Sequence, residues 1–312
     1  MSVRRRFAAL SVIGVLVLGG CSATPDAVPP SSSAAPVVSP SPPSPTVLPN
    51  VGAIDAALEQ LEVDYSAAVG IAAIDTRDDV RFSFNADERF GFASTIKLFV
   101  AAQFLRAVPA DQRGERVFWT ADDIQAAGYS PVTEQHIDDG LTYAELAEAA
   151  VRQSDNTATN LVLARIGGPA ALDAALAELG DETTSVVNVE PDLNRIEPGS
   201  TDDTTTAAAF TAGLEEVVVG DALNDDDRAM LLDWMSGNAT GDALIRAGAP
   251  EGWVVADKSG GAAGMRNDIA IVIPPGRQPI VISVLTARLD PEQAYDDALV
   301  AEVARVVLDG FR

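Results

Sequence analysis

Apolar residues recur at helical spacing from Ala53 to Leu61, and then the period changes. Ala67 to Ile74 and Val80 to Phe84 read as strands separated by the polar turn Thr76-Arg77-Asp78-Asp79, so a helix and a hairpin open the fold. From about Ser94 to Ala247 the pattern is helical with strong punctuation. Thr142-Tyr143-Ala144-Glu145 is a capping box, Gly167-Gly168-Pro169 ends one helix and starts another, and Gly180 stops the second. Strand patterns return at Trp253 to Ala256, Ile269 to Ile273 and Ile280 to Leu285, and Asp290-Pro291-Glu292 is expected to open a last amphipathic helix reaching Phe311. Strands at both ends with helices between imply an α+β fold. The expectation is a five-stranded antiparallel sheet built from both termini, flanked by helices and carrying an inserted all-α domain. The α/β part is expected at about 51–88 and 250–312 and the all-α part at about 89–249, with a ligand cleft between them.

The first 50 residues have a different pattern. Arg4-Arg5-Arg6 precedes an apolar run from Phe7 to Leu18 and then Leu18-Gly19-Gly20-Cys21, the order of a secretory signal too short for a good membrane span. Leu18 to Cys21 resembles a bacterial lipobox, which implies cleavage before Cys21 and its lipidation. Residues 1–21 are thus read as a lipoprotein signal peptide, with export by either the general or the twin-arginine route. Residues 22–50 hold nine of the chain's 19 prolines among Ser, Ala and Val. That composition makes a tether that, at about 3.1 Å per residue, reaches roughly 90 Å. The expected location is the outer face of a bacterial cytoplasmic membrane or the periplasmic side, held only through Cys21.

Charge and rare residues remove several classes of function. The chain carries 46 acidic and 21 basic residues, a net charge of −25 that becomes −28 when the three leader arginines are cleaved off. Such a surface repels nucleic acid and anionic lipid alike. One cysteine and one histidine exclude a disulfide framework and a Cys- or His-rich metal centre, and no cofactor is expected. His136 lies in a polar, turn-like run and is a poor candidate for a triad.

The chemistry is carried by short motifs. In Ser94-Thr95-Ile96-Lys97, positions i and i+3 of a helix start put a hydroxyl and an amine on one face, with the helix N-terminus favouring an oxyanion. Ser154-Asp155-Asn156 places a hydroxyl and a carboxamide at a break between helices, and Lys258-Ser259-Gly260-Gly261 ends a strand. Taken singly, these are a helix cap, a pair of caps and a turn. In this order and spacing they match the set shared by class A β-lactamases and penicillin-binding proteins. The resemblance to class A covers nearly all of residues 51–312, including the runs from Tyr129 to Glu134 and from Asn267 to Ala270. Glu190-Pro191-Asp192-Leu193-Asn194 resembles that family's Ω-loop, which penicillin-binding proteins lack.

The resemblance implies a β-lactamase-like fold, β-lactam antibiotics as substrates, and a monomer. Ser94 would be the nucleophile, with Lys97, Glu190 or both removing its proton. Glu190 and Asn194 would hold the hydrolytic water, and the N–H groups of Ser94 and Gly261 would form the oxyanion hole. Ser154 would protonate the leaving nitrogen beside the Lys258 charge. Asn156 would bind the substrate's side-chain amide, Tyr129 would line the entrance, and Gly260 with Gly261 would present a backbone unobstructed by side chains to the substrate. Ser259 and Arg266 would take the substrate carboxylate. Two departures border the site. Asn188 stands where the family usually has an arginine, so the expected ion pair with Asp203 is missing, and the run from Lys258 to Arg266 is one residue short. Two other readings are a D-Ala-D-Ala carboxypeptidase, opposed by Glu190 and Asn194, and a non-catalytic wall-binding protein, opposed by intact Ser94, Lys97 and Lys258.

Overall fold

The computed structural model describes residues 46–312. The signal peptide, Cys21 and the tether up to residue 45 lie outside the described residues. The folded body starts ahead of Val51, because Thr46–Val47 (β1) pairs in parallel with Val80 and Arg81 and Leu48 is buried. Helix α1 (Val51–Tyr65) leads to β2 (Ala67–Asp75) and β3 (Val80–Phe84), the helix and hairpin expected from the apolar spacing.

The chain then leaves the sheet. Strand β4 (Arg89–Gly91) and a short 3-10 turn at Ala93–Thr95 deliver it to α2 (Ile96–Ala107). Strand β5 (Arg116–Val117), α3 (Ala121–Ala127), β6 (Leu141–Thr142), α4 (Tyr143–Arg152), α5 (Asn156–Arg165) and α6 (Pro169–Glu178) follow. A loop then runs to β7 (Thr204–Thr206), α7 (Ala207–Val218), α8 (Asp225–Ser236) and the one-turn α9 (Ile245–Gly248). The capping box at Thr142 is formed, with Glu145 N–H donating to Thr142 Oγ1 at 3.2 Å and Thr142 N–H to Glu145 Oε2 at 2.7 Å. Gly168 precedes α6 with Pro169 as its first residue, as the sequence indicates.

Strands β8 (Val254–Ala262), β9 (Met265–Ile273) and β10 (Ile280–Arg288) return to the sheet, and α10 (Asp297–Gly310) closes the chain. The strand order is β1-β3-β2-β10-β9-β8, five antiparallel strands with the two-residue β1 added at one edge. Alternate residues of β9 serve two cores: Ile269 and Ile271 enter the core of the helical body, while Ala270 and Val272 pack with α1 and α10. The last helix starts later than expected. The Asp290 carboxylate accepts the Glu292 N–H in an isolated turn, and the segment crosses to Ala263 before Asp296 caps α10. Lys258 to Gly261 lies inside β8 rather than at its end, because the pairing with β9 continues to Ala262.

Candidate active site

Strand β8 is the sheet edge that faces the helical body, and the turn bearing Ser94 packs on it. A Cβ added to Gly260 would lie 3.0 Å from Ser94 N and 2.8 Å from Thr95 N, so this close approach requires glycine. Two non-glycine residues next to the catalytic candidates have left-handed backbone, Ala93 (φ 46°) and Ser154 (φ 56°). Such conformations cost about 1–3 kcal/mol and persist only where surrounding contacts enforce them. The Asn267 amide donates to Gly91 O at 2.8 Å, and Phe92 N–H donates to Asp203 O, which hold the chain entering the Ser94 turn. At Ser154, the turn between α4 and α5 is tied by Asp155, whose buried carboxylate accepts from Val132 N, Thr133 N and Ala158 N. That knot fixes the loop carrying Tyr129, whose carbonyl accepts from Asn156 N–H at 2.8 Å.

These elements enclose a cavity of about 290 Å³. Ser94, Tyr129, Ser154, Asn156, Glu190, Asn194, Ser259, Gly260, Gly261 and Arg266 all line it, together with Thr240 and Tyr295, which the sequence reading did not single out. Lys97 and Lys258 lie fully buried behind its wall. The Ser94 hydroxyl faces Glu190 Oε1 at 3.4 Å. Lys97 Nζ reaches Glu190 Oε1 at 2.9 Å, Ser154 O at 2.7 Å and Asn156 Oδ1 at 2.5 Å. With Ser154 Oγ at 3.4 Å there are four acceptors for the three hydrogens of its ammonium.

Glu190 sits on the loop before β7 and is gripped from α5: its N–H donates to Asn160 Oδ1 at 3.0 Å, and Asn160 Nδ2 donates to its carbonyl at 2.9 Å. Asn194 Nδ2 donates to Glu190 Oε2 at 2.6 Å, and Asn194 Oδ1 is buried without a hydrogen-bond partner among the described residues. Lys258 Nζ donates to Ser154 Oγ at 3.2 Å and to Ser259 O at 2.7 Å.

Burial pushes the Lys97 ammonium below the usual lysine range, and the Glu190 carboxylate opposes that shift. Lys258 is pushed down to about 7, by burial first and by the charge of Lys97 second, with Asp257 opposing. The two groups expected to take a carboxylate already have partners. Ser259 Oγ is 2.6 Å from Thr240 Oγ1, and Arg266 Nε donates to Asp297 Oδ1 at 2.6 Å with its guanidinium 4.9 Å from the Tyr295 ring centre. In place of the family's ion pair, the neutral Asn188 amide makes a hydrogen bond to the carboxylate, its Nδ2 donating to Asp203 Oδ2 at 2.6 Å. The shortened run after Lys258 is a tight hairpin with Ala263 at φ 48°.

Comparison with known proteins agrees with the arrangement. A family model described as the β-lactamase enzyme family matches residues 53–311. The chain is 46% identical over 254 residues to a β-lactamase of Bacillus amyloliquefaciens, covering 81% of this chain and 82% of that protein. It is 46% identical over 267 residues to a β-lactamase of Amycolatopsis lactamdurans, covering 85% and 88%. Among solved structures, the class A β-lactamase from Clostridium kluyveri superposes with a TM-score of 0.80 at 42% identity, covering 82% of this chain and 98% of that one.

Proposed function

The chain belongs to the β-lactamase enzyme family and is a class A serine β-lactamase, and from that premise we propose a role for each group in the cavity. The reaction is hydrolysis of the β-lactam ring through a serine acyl-enzyme, which confers antibiotic resistance.

Ser94 Oγ attacks the lactam carbonyl carbon. The observation that carries the assignment is Glu190, whose Oε1 faces the Ser94 hydroxyl at 3.4 Å while every hydrogen of Lys97 is committed elsewhere. Glu190 is therefore the resting-state base for the serine proton, and Lys97 holds that carboxylate in place. The carbonyl oxygen becomes an oxyanion at the N–H groups of Ser94 and Gly261, in the positive field at the start of α2. The C–N bond then breaks, and the nitrogen takes its proton from Ser154, whose hydroxyl accepts from Lys258. The proton that Glu190 took from Ser94 passes through Lys97, 2.9 Å from Glu190 Oε1 and 3.4 Å from Ser154 Oγ, which restores Ser154 and leaves Glu190 a carboxylate again. Asn156 retains one amide hydrogen toward the cavity after donating the other to Ala127 O, which suits a substrate side-chain carbonyl. Tyr129, more than half exposed, forms the outer wall.

For the second half-reaction, Glu190 takes a proton from a water, the resulting hydroxide attacks the Ser94 ester, and as the ester C–O bond breaks Glu190 returns that proton to Ser94 Oγ. The unpartnered Asn194 Oδ1 supports this reading, because it supplies a second acceptor beside the Glu190 carboxylate. Purified protein given a chromogenic cephalosporin should turn over many equivalents. One stoichiometric burst would instead indicate a penicillin-binding enzyme, and no reaction would indicate a binding protein.

The mature chain works as a monomer attached by lipid at Cys21, on the outer side of the cytoplasmic membrane. The leader order and the proline-rich stretch after Cys21 support that placement. Among the described residues no helix is long and apolar enough to cross a membrane.

A further inference from the structure

The hydroxyl of Ser259 is at the end of a hydrogen-bond chain whose direction is fixed by its far end. Asn238, in the loop between α8 and α9, accepts the Thr240 backbone N–H on Oδ1 at 3.1 Å and donates from Nδ2 to Asp257 Oδ2 at 2.5 Å. A backbone N–H can only donate, so the amide has one orientation and its Oδ1 can only accept. Thr240 Oγ1, 2.8 Å from that oxygen, must therefore give its single hydrogen to Asn238. It follows that in the 2.6 Å Thr240–Ser259 contact the donor is Ser259. The resting Ser259 hydroxyl thus aims its hydrogen away from the cavity and presents lone pairs to it, the wrong polarity for a carboxylate.

We infer that Thr240 is a positioning residue whose hydroxyl reverses when substrate binds, switching the chain from Ser259→Thr240→Asn238 to Thr240→Ser259→substrate carboxylate. The reversal keeps two hydrogen bonds and makes one of them charge-assisted, and the donor behind Ser259 polarises it further. Asn238 Oδ1 tolerates the loss because it keeps the Thr240 N–H. Thr240 would thereby tune recognition of the acidic group that penicillins and cephalosporins carry, without taking part in bond making. This rests on reading the Ser259 end of the cavity as the carboxylate subsite.

The test compares a penicillin with its methyl ester on the full chain. Thr240→Val keeps the side-chain shape and removes the hydroxyl. It should raise KM for the acid about threefold to tenfold, the worth of one neutral hydrogen bond, with kcat within about twofold and the ester unaffected. Thr240→Ser should restore the acid's KM. In a Ser259→Ala background, Thr240→Val should add less than about twofold. An equal KM rise on the ester, or an undiminished rise without Ser259, would reduce Thr240 to a packing residue and overturn the relay. Unchanged KM in Thr240→Val would overturn it as well. If Ser259→Ala itself failed to distinguish acid from ester, the carboxylate subsite would be wrong and the relay would fall with it.

Discussion

Lys258 has a second ammonium, Lys97, in its surroundings and no exposure to water, so its proton leaves at about 7 where a free lysine holds it to about 10.4. If that charge assists substrate binding and the Ser154 proton transfer, kcat/KM should fall as pH rises through the neutral range. The limb should lie higher in kcat, because a bound carboxylate favours the ammonium. A kcat/KM that stays flat from pH 6 to about 9.5 would contradict the role. The same shift affects folding. Between about 7 and about 10.4 the unfolded chain binds more protons at this position than the native one, so stability from this group rises with pH across that window. Lys258→Met removes the titration, and its urea midpoint should exceed that of the parent most below pH 7, with the gap closing as pH rises. At this scale much of the site was legible, because Ser94 with Lys97, Ser154 with Asn156, and Glu190 with Asn194 are local spacings on single turns. Thr240 and Tyr295 were not: they reach the cavity by tertiary folding, from a loop after α8 and from the segment ahead of α10, and no periodicity marks them. Asn160 was nearer to hand, four residues after Asn156 on the same face of α5.

The loop that carries Glu190 is an element without regular structure, and its base is knotted by Asp203. That buried carboxylate accepts from Val187 N–H and Asn188 N–H, each at 3.0 Å, and from the Asn188 amide. The position of the missing arginine is therefore filled by three hydrogen bonds to Asp203. Asn188→Ala removes one of three bonds and should cost about 1 kcal/mol, whereas Asp203→Ala strands the backbone donors and should cost about 2–4 kcal/mol and slow deacylation with it. Urea midpoints together with single-turnover decay of the acyl-enzyme check both, and equal small losses would show that the knot is not what holds Glu190. Thr142→Ala, at a capping box far from the cavity, should cost about 1 kcal/mol in the same assay and leave kcat unchanged. Elements were legible where local chemistry decides them, as at the Thr142 cap and the Gly168-Pro169 junction. They were misplaced where pairing decides: β8 continues through Lys258 to Ala262 because β9 lies beside it, and α10 waits for Asp296 because residues 290–296 follow the β8–β9 hairpin.

At the scale of the whole molecule, a sheet made from both ends of the chain and a helical body made from its middle bring Ser94 and Glu190 together in one cavity. The strongly acidic surface gives an anionic membrane no electrostatic hold, so the proposed attachment would rest on Cys21. One acyl chain binds marginally and more than one binds firmly. Cys21→Ala should release active enzyme or stall its precursor, and mature-size mutant still sedimenting with membranes would rule out the anchor. The reach of the sequence was greatest here, since strands at both termini with helices between admit few layouts; the two-residue β1 escaped notice because it sits in a proline-rich run with no strand period. The proposed mechanism divides the labour, so that Ser94 forms the ester and Glu190 destroys it. Glu190→Ala separates these steps, because the Glu190 carboxylate opposes the burial that lowers the Lys97 pKa, so its loss favours the amine form that can assist the serine, while the ester loses its base. General-base help is worth about 10² to 10⁴-fold, enough for the ester to outlast an assay. Mass spectrometry of Glu190→Ala mixed with benzylpenicillin should show one covalent adduct on the peptide containing Ser94, and free protein with continued rapid hydrolysis would contradict it.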